Sequence, residues 1–144
     1  MSDLILYLDT SDVHEGALEE LKAGMKELTD FVQANEPRII AYNVYFNDEG
    51  TRMTVVHAHP DSASFEYHME VAGPLFRRLG ELVTLSAIHI YGEPSEKVLK
   101  QSHEKPQMLG RGAVGVEPLF VGFNRFAAFA EPEAPSAALN QRMG

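Results

Sequence analysis

Two stretches of helical apolar period are interleaved with four stretches of strand character, and that order leaves few folds open. Leu18, Leu21, Met25, Leu28 and Val32 recur at spacings of three and four, as do Phe65, Met69, Ala72, Phe76 and Leu79. Each set forms one stripe of an amphipathic helix. Before the first stripe stands "LILYLD", Leu4 to Asp9, a short apolar strand. Between the stripes lies "PRIIAYNVYFNDEGTRMTVVHAH", two strands joined at the turn signal "NDEG". After the second stripe comes "LVTLSAIHIYG", a strand over Leu82 to Tyr91. The order β-α-β-β-α-β predicts an α+β, ferredoxin-like split βαβ sheet. Right-handed crossovers then place both helices on one face.

Local signals bound these elements. Asp12 followed by Glu15 predicts a capping box for the first helix, which ends near Asn35, before Pro37. Pro60 stops the hairpin's second strand, and Asp61 is placed to cap a helix over 62–79. Pro74 inside that helix predicts a kink or a division.

The two-residue period of strands sorts side chains onto faces. If the helices take the purely aliphatic sets, the helix-free face receives Tyr7, Asp9, Asn43, Tyr45, Met53, His57, His59, His89 and Tyr91. A face of this mixed apolar and hydrogen-bonding character needs a cover. A second copy of the chain or the long C-terminal segment can supply that cover, and the expected one is a second copy, in a homodimer whose helix-free faces approach each other.

The ferredoxin-like unit closes at residue 94. Residues 95–130 form a C-terminal extension, with a short helix starting near Ser95 and an edge strand expected over Val116 to Phe123. Residues 131–144, rich in Pro and Ala and without period, read as a flexible tail. The formal charge of −9 opposes a nucleic-acid partner. With no cysteine there is no disulfide, thiolate nucleophile or cysteine-ligated metal. The N-terminus lacks the pattern of a secretion signal, and no apolar run has the length of a membrane span, so a cytoplasmic place is expected.

The element order, "NVYFNDEGTRMTVVHAHPDSASFEYHME" and the closing "AIHIYGEPSE" together resemble the antibiotic-biosynthesis-monooxygenase domain over residues 4–95. The features are Tyr42 on the second strand, the acidic hairpin turn, a Ser/Ala-rich helix start followed by His68, and "YG" ending the last strand. The resemblance implies a dimeric α+β barrel. It also implies cofactor-independent oxidation of a quinol or polyphenol by dioxygen as one activity of the group. Haem-degrading relatives use a set that includes Trp, and this chain has none.

The chemistry-bearing residues centre on His57 and His59, two apart on one strand, with His89 on another. Three readings stay open for them. They can be satisfied interior or interface groups. They can serve acid–base or orienting roles, suited to a pKa near neutrality. They can ligate a metal with His89 or Asp9, although no motif supports this and no metal is expected. On the oxygenase reading, His57 or His59 takes a phenolic proton, and Asn43, Tyr45 and His89 assist. Tyr7, Met53, Tyr91 and His68 then contact a small aromatic substrate, and no flavin or metal is required. The competing reading is a non-catalytic dimer of the same fold that binds a small ligand, or whose barrel is plugged by residues such as Met53, Tyr91, Phe120 and Phe123.

Overall fold

The computed structural model describes residues 3–109 and 113–125. The elements are β1 (Ile5–Val13), α1 (Leu18–Asn35), β2 (Ala41–Phe46), β3 (Arg52–His59), α2 (Ser62–Leu79), a single 3₁₀ turn (Gly80–Leu82), β4 (Val83–Tyr91), α3 (Glu96–Leu109) and β5 (Ala113–Glu117). The β-α-β-β-α-β order is that expected, with α3 and β5 as the C-terminal extension. The sheet runs β2-β3-β1-β4-β5. Strand β1 lies antiparallel between β3 and β4, and β5 joins β4 in parallel at the edge. The edge strand expected over 116–123 therefore lies earlier, at Ala113–Glu117. The expected tail, 131–144, lies outside the described residues.

Two local expectations fail for identifiable reasons. Strand β1 continues through Asp12, which pairs with Arg52 and Thr84. Asp12 is thus held in the sheet and caps nothing; Ala17 stands at the N-cap of α1 without a side-chain bond. Pro74 neither divides nor ends α2, which is one helix over Ser62–Leu79. Proline there removes the amide that would bond the carbonyl of Glu70. Packing outweighs this loss, because the stripe Phe65, Met69, Ala72, Phe76 and Leu79 is spread over both core clusters. Asp61 does cap α2, its carboxylate accepting from the Ser64 amide at 3.0 Å.

The register decides what the helices cover. Tyr7 pairs with His57 on one side and Ile90 on the other, Ile5 pairs with His59, and Ser11 with Met53. All these residues are buried; Ile5, Tyr7 and Ile90 share one core cluster with Phe65 and Val98, and Met53 shares the other with Leu21 and Leu28. A register shift between Thr10 and Ser11 lets Leu85 and Ile88, three apart, both face the helices.

The expected helix-free face is therefore corrected. Tyr7, Asp9, Met53, His57 and His59 lie beneath the helices, fully buried. Asn43, Tyr45, His89 and Tyr91 lie on the other face, beside Leu6, Leu8 and Val56. The sorting failed on β1 and β3 because it gave the helices the more aliphatic alternation. Helix-borne partners make the polar alternation tolerable instead, and no strand pattern reveals those partners.

Candidate functional site

A cavity of about 190 Å3 lies between the sheet and the helices. Asp9, Tyr42, Val55 and His57 form its floor, Leu28 of α1 and His68, Met69, Ala72 and Phe76 of α2 its roof, and Gln101, Glu104 and Lys105 of α3 its side. The C-terminal extension thus supplies part of the wall.

Each histidine at the cavity has a defined partner. His57 Nδ1 and His59 Nε2 share a 2.8 Å hydrogen bond, and His59 Nδ1 and Ser64 Oγ another of 2.8 Å. Period two sends both rings to one face of β3, and the Asp61 cap fixes Ser64 in the first turn of α2, above them. Burial pulls His57 well below the ordinary imidazole value, with His68, His59 and Lys105 adding to the effect. Burial and His68 hold His59 down to about 3. Both rings are neutral at pH 7, so each carries one N–H.

His68 is held differently. Its Nδ1 donates to both carboxylate oxygens of Glu36, at 3.0 and 2.9 Å, with both side chains buried. Glu36 is the C-cap residue of α1, fixed by its own amide bonding the Val32 carbonyl. A carboxylate on Nδ1 selects the tautomer that leaves Nε2 as an acceptor. The rings of His57 and His68 are 4.7 Å apart between centroids, and Tyr42 lies 5.4 Å from each.

Asp9 and Lys105 form a second charged feature. Lys105 Nζ bonds Asp9 Oδ2, lies 3.4 Å from Tyr7 Oη, and sits 4.7 Å from the centre of the Phe76 ring. Burial alone lowers the Lys105 ammonium, but Asp9, Tyr7 and Tyr42 outweigh it, and the group is raised. Burial pushes Tyr7 up to about 12, with Lys105 opposing and Asp9 reinforcing. Burial likewise raises Tyr42. Asp9 Oδ1 and Gln101 Oε1 are buried without a hydrogen-bond partner among the described residues.

Of the residues singled out from the sequence, Asp9, Tyr42, His57 and His68 line the cavity. Tyr7 and His59 stand behind it in contact with His57, with ring centroids at 4.5 and 5.0 Å, and Met53 is farther along β3 in the core. Asn43, Tyr45, His89 and Tyr91 are on the opposite face of the sheet. His89 cannot join His57 and His59, and no group of three or more potential ligands is placed to hold a metal among the described residues. Glu36, Lys105 and Gln101 were missed. They stand at a helix end and in the extension, and only the tertiary fold brings them to β1 and β3.

No protein-family model and no curated protein matches the chain. Solved structures do. MupZ from Pseudomonas fluorescens superposes with a TM-score of 0.68 at 16% identity, over 88% of this chain and 93% of that one. SnoaB, a cofactor-independent oxygenase from Streptomyces nogalater, superposes with a TM-score of 0.55 at 16% identity, over 65% of this chain and 96% of that one. A candidate antibiotic biosynthesis monooxygenase from Nitrosomonas europaea gives 0.57 at 14% identity, over 65% and 92%. The overlap with MupZ exceeds what residues 1–94 alone can supply, so it takes in part of the extension.

Proposed function

On a chain with the antibiotic-biosynthesis-monooxygenase fold, we propose that the cavity is the active site of a cofactor-independent monooxygenase acting on a small hydroxylated aromatic. The observation that carries the proposal is the pair of partnered imidazoles, His57 and His68, at one small cavity of mainly apolar wall. A cavity of about 150 Å3 holds one benzene ring, so about 190 Å3 suits a single-ring quinol.

His68 is the general base in this proposal. It takes the phenolic proton on Nε2, and Glu36 stabilises the imidazolium that forms. The quinolate, held away from water by Leu28, Val55, Met69 and Phe76, gives one electron to dioxygen. The two radicals combine at a ring carbon bearing hydrogen, forming a C–O bond and a peroxide. Loss of that hydrogen as a proton, with cleavage of the O–O bond, leaves a carbonyl, and the outer oxygen departs as water. One quinol and one dioxygen give one hydroxyquinone and one water. His57 hydrogen-bonds the ring oxygens, Tyr42 forms a wall, and Lys105 adds a positive field.

The other sheet face belongs to the same proposal. Leu6, Leu8, Val56, Tyr45 and Tyr91 give it an apolar surface that a second copy would cover, closing a homodimeric barrel. Asn43, Tyr45, His89 and Tyr91 are then interface residues.

The test is oxygen uptake on adding a panel of single-ring quinols anaerobically and then admitting air. Saturable uptake above the spontaneous rate is expected, falling by roughly a hundredfold in His68→Gln and in Glu36→Gln. Uptake at only the spontaneous rate, with metal-free and metal-supplemented protein alike, refutes the oxygenase.

A further inference from the structure

His57, His59 and Ser64 form an unbroken line of hydrogen bonds from the cavity to the first turn of α2, with both links at 2.8 Å. We propose that this line is a tautomeric proton relay, exchanging protons between a weakly acidic ligand in the cavity and solvent water at the start of α2 without charging either ring. The inference rests on the cavity being an acid–base site, and adds a second proton path beside His68.

The geometry offers two states of equal charge. In one, His57 Nδ1–H donates to His59 Nε2 and His59 Nδ1–H donates to Ser64 Oγ, so His57 Nε2 is an acceptor. In the other, Ser64 Oγ–H donates to His59 Nδ1 and His59 Nε2–H donates to His57 Nδ1, so His57 Nε2 carries the proton as a donor. Passage from the first to the second takes one proton from the ligand at His57 Nε2. The His57 Nδ1 proton moves to His59 Nε2, the His59 Nδ1 proton moves to Ser64 Oγ, and the former Ser64 hydroxyl proton leaves to water. Two ring N–H groups and one hydroxyl are present before and after.

The surroundings explain why a neutral path suits this place. His57 is packed among Tyr7, Tyr42, Phe65 and His68, with Lys105 near enough to oppose a further positive charge. His59 is packed among Phe65, His68 and Ser64, with Arg38 and Asp61 acting on it in opposite senses. An imidazolium at either ring loses hydration, and neither ring has a carboxylate among its hydrogen-bond partners to replace it. At His68, Glu36 does restore it. The two histidines at the cavity are thus divided by environment, one able to become charged and one able to pass a proton while neutral. Ser64 is buried, at 4% exposure, but lies in the first turn of α2 beside the exposed Arg38–Asp61 pair, which its amide bond to Asp61 joins.

The experiment is ring-nitrogen NMR of 15N-histidine protein with 4-nitrophenol as the probe, at a pH where it is neutral and at one where it is the phenolate. The neutral phenol, a donor, is expected to select Nδ1–H on both His57 and His59. The phenolate, an acceptor, is expected to select Nε2–H on both together. Ser64→Ala keeps this paired selection, because the His57–His59 hydrogen bond remains, but slows the passage between the two states, and Ser64→Thr restores its rate. One fixed tautomer in both states, independent switching, or an imidazolium at neutral pH overturns the relay. In ligand-free protein the His59 ring N–H is expected to exchange with solvent on the order of tenfold more slowly in Ser64→Ala, one hydrogen bond's worth, and at the original rate in Ser64→Thr. Equal exchange in all three also overturns the relay, whether or not the probe binds. Tautomer switching without oxygen uptake keeps the relay and discards the oxygenase.

Discussion

Acid should unfold this protein from an unusually high pH, because two imidazoles are buried neutral. The folded values of His57 and His59 both lie below the ordinary 6.5, that of His59 near 3. Between those values and 6.5 the unfolded chain binds protons that the folded chain does not, so stability falls as pH falls. Each ring contributes about 1.4 kcal/mol per pH unit across that window. From pH 7 to pH 5 the loss is about 2 kcal/mol per ring and about 4 kcal/mol for both. That is a large share of the 5–15 kcal/mol of an ordinary domain. Asp61, held below its usual 3.8 by Arg38, acts mainly at lower pH and does not cover this window. Urea unfolding followed by circular dichroism, repeated at half-unit steps from pH 8 to pH 5, measures the slope. Between pH 6 and 5 it should reach about 2.4 kcal/mol per unit, a little under two protons. His59→Gln should reduce it by about one proton, whatever the variant's absolute stability. A flat profile, or an undiminished slope in that variant, refutes neutral burial.

Three further outcomes follow from particular contacts. Lys105→Met should cost about 3–5 kcal/mol in urea unfolding, because it strands the buried Asp9 carboxylate; Asp9→Asn added to it should recover most of the loss, and Lys97→Met, at the exposed pair with Glu70, should change nothing measurable. Gly92→Ala should lower stability by about 1–3 kcal/mol, since Gly92 has φ +130° and an added Cβ would lie 2.5 Å from the Leu4 carbonyl oxygen. Leu8→Asp, on the open sheet face between Val56 and His89, should convert the proposed homodimer to a monomer by light scattering without abolishing the fold, and an unchanged mass would exclude that face as the interface.

The sequence alone determined the order of elements, because helix stripes and strand alternation are local. The spacing of Leu21, Met25, Leu28 and Val32 sufficed for α1, and Asp61 for the start of α2. It also placed His57 and His59 side by side on one face of β3, since period two allows nothing else. Which face that was lay beyond it. On β1, Ile5, Tyr7, Asp9 and Ser11 compete with Leu4, Leu6, Leu8 and Thr10, and composition favours the wrong set. The choice was made by groups distant in sequence: Ser64 over His59, Lys105 on Asp9, and Ile90 opposite Tyr7. A buried polar group is tolerable only where a partner meets it, and a partner 96 residues away leaves no trace in a strand's own pattern. For the same reason Glu36, which turns His68 into a base in this proposal, reads in the sequence as one more acidic residue before a proline.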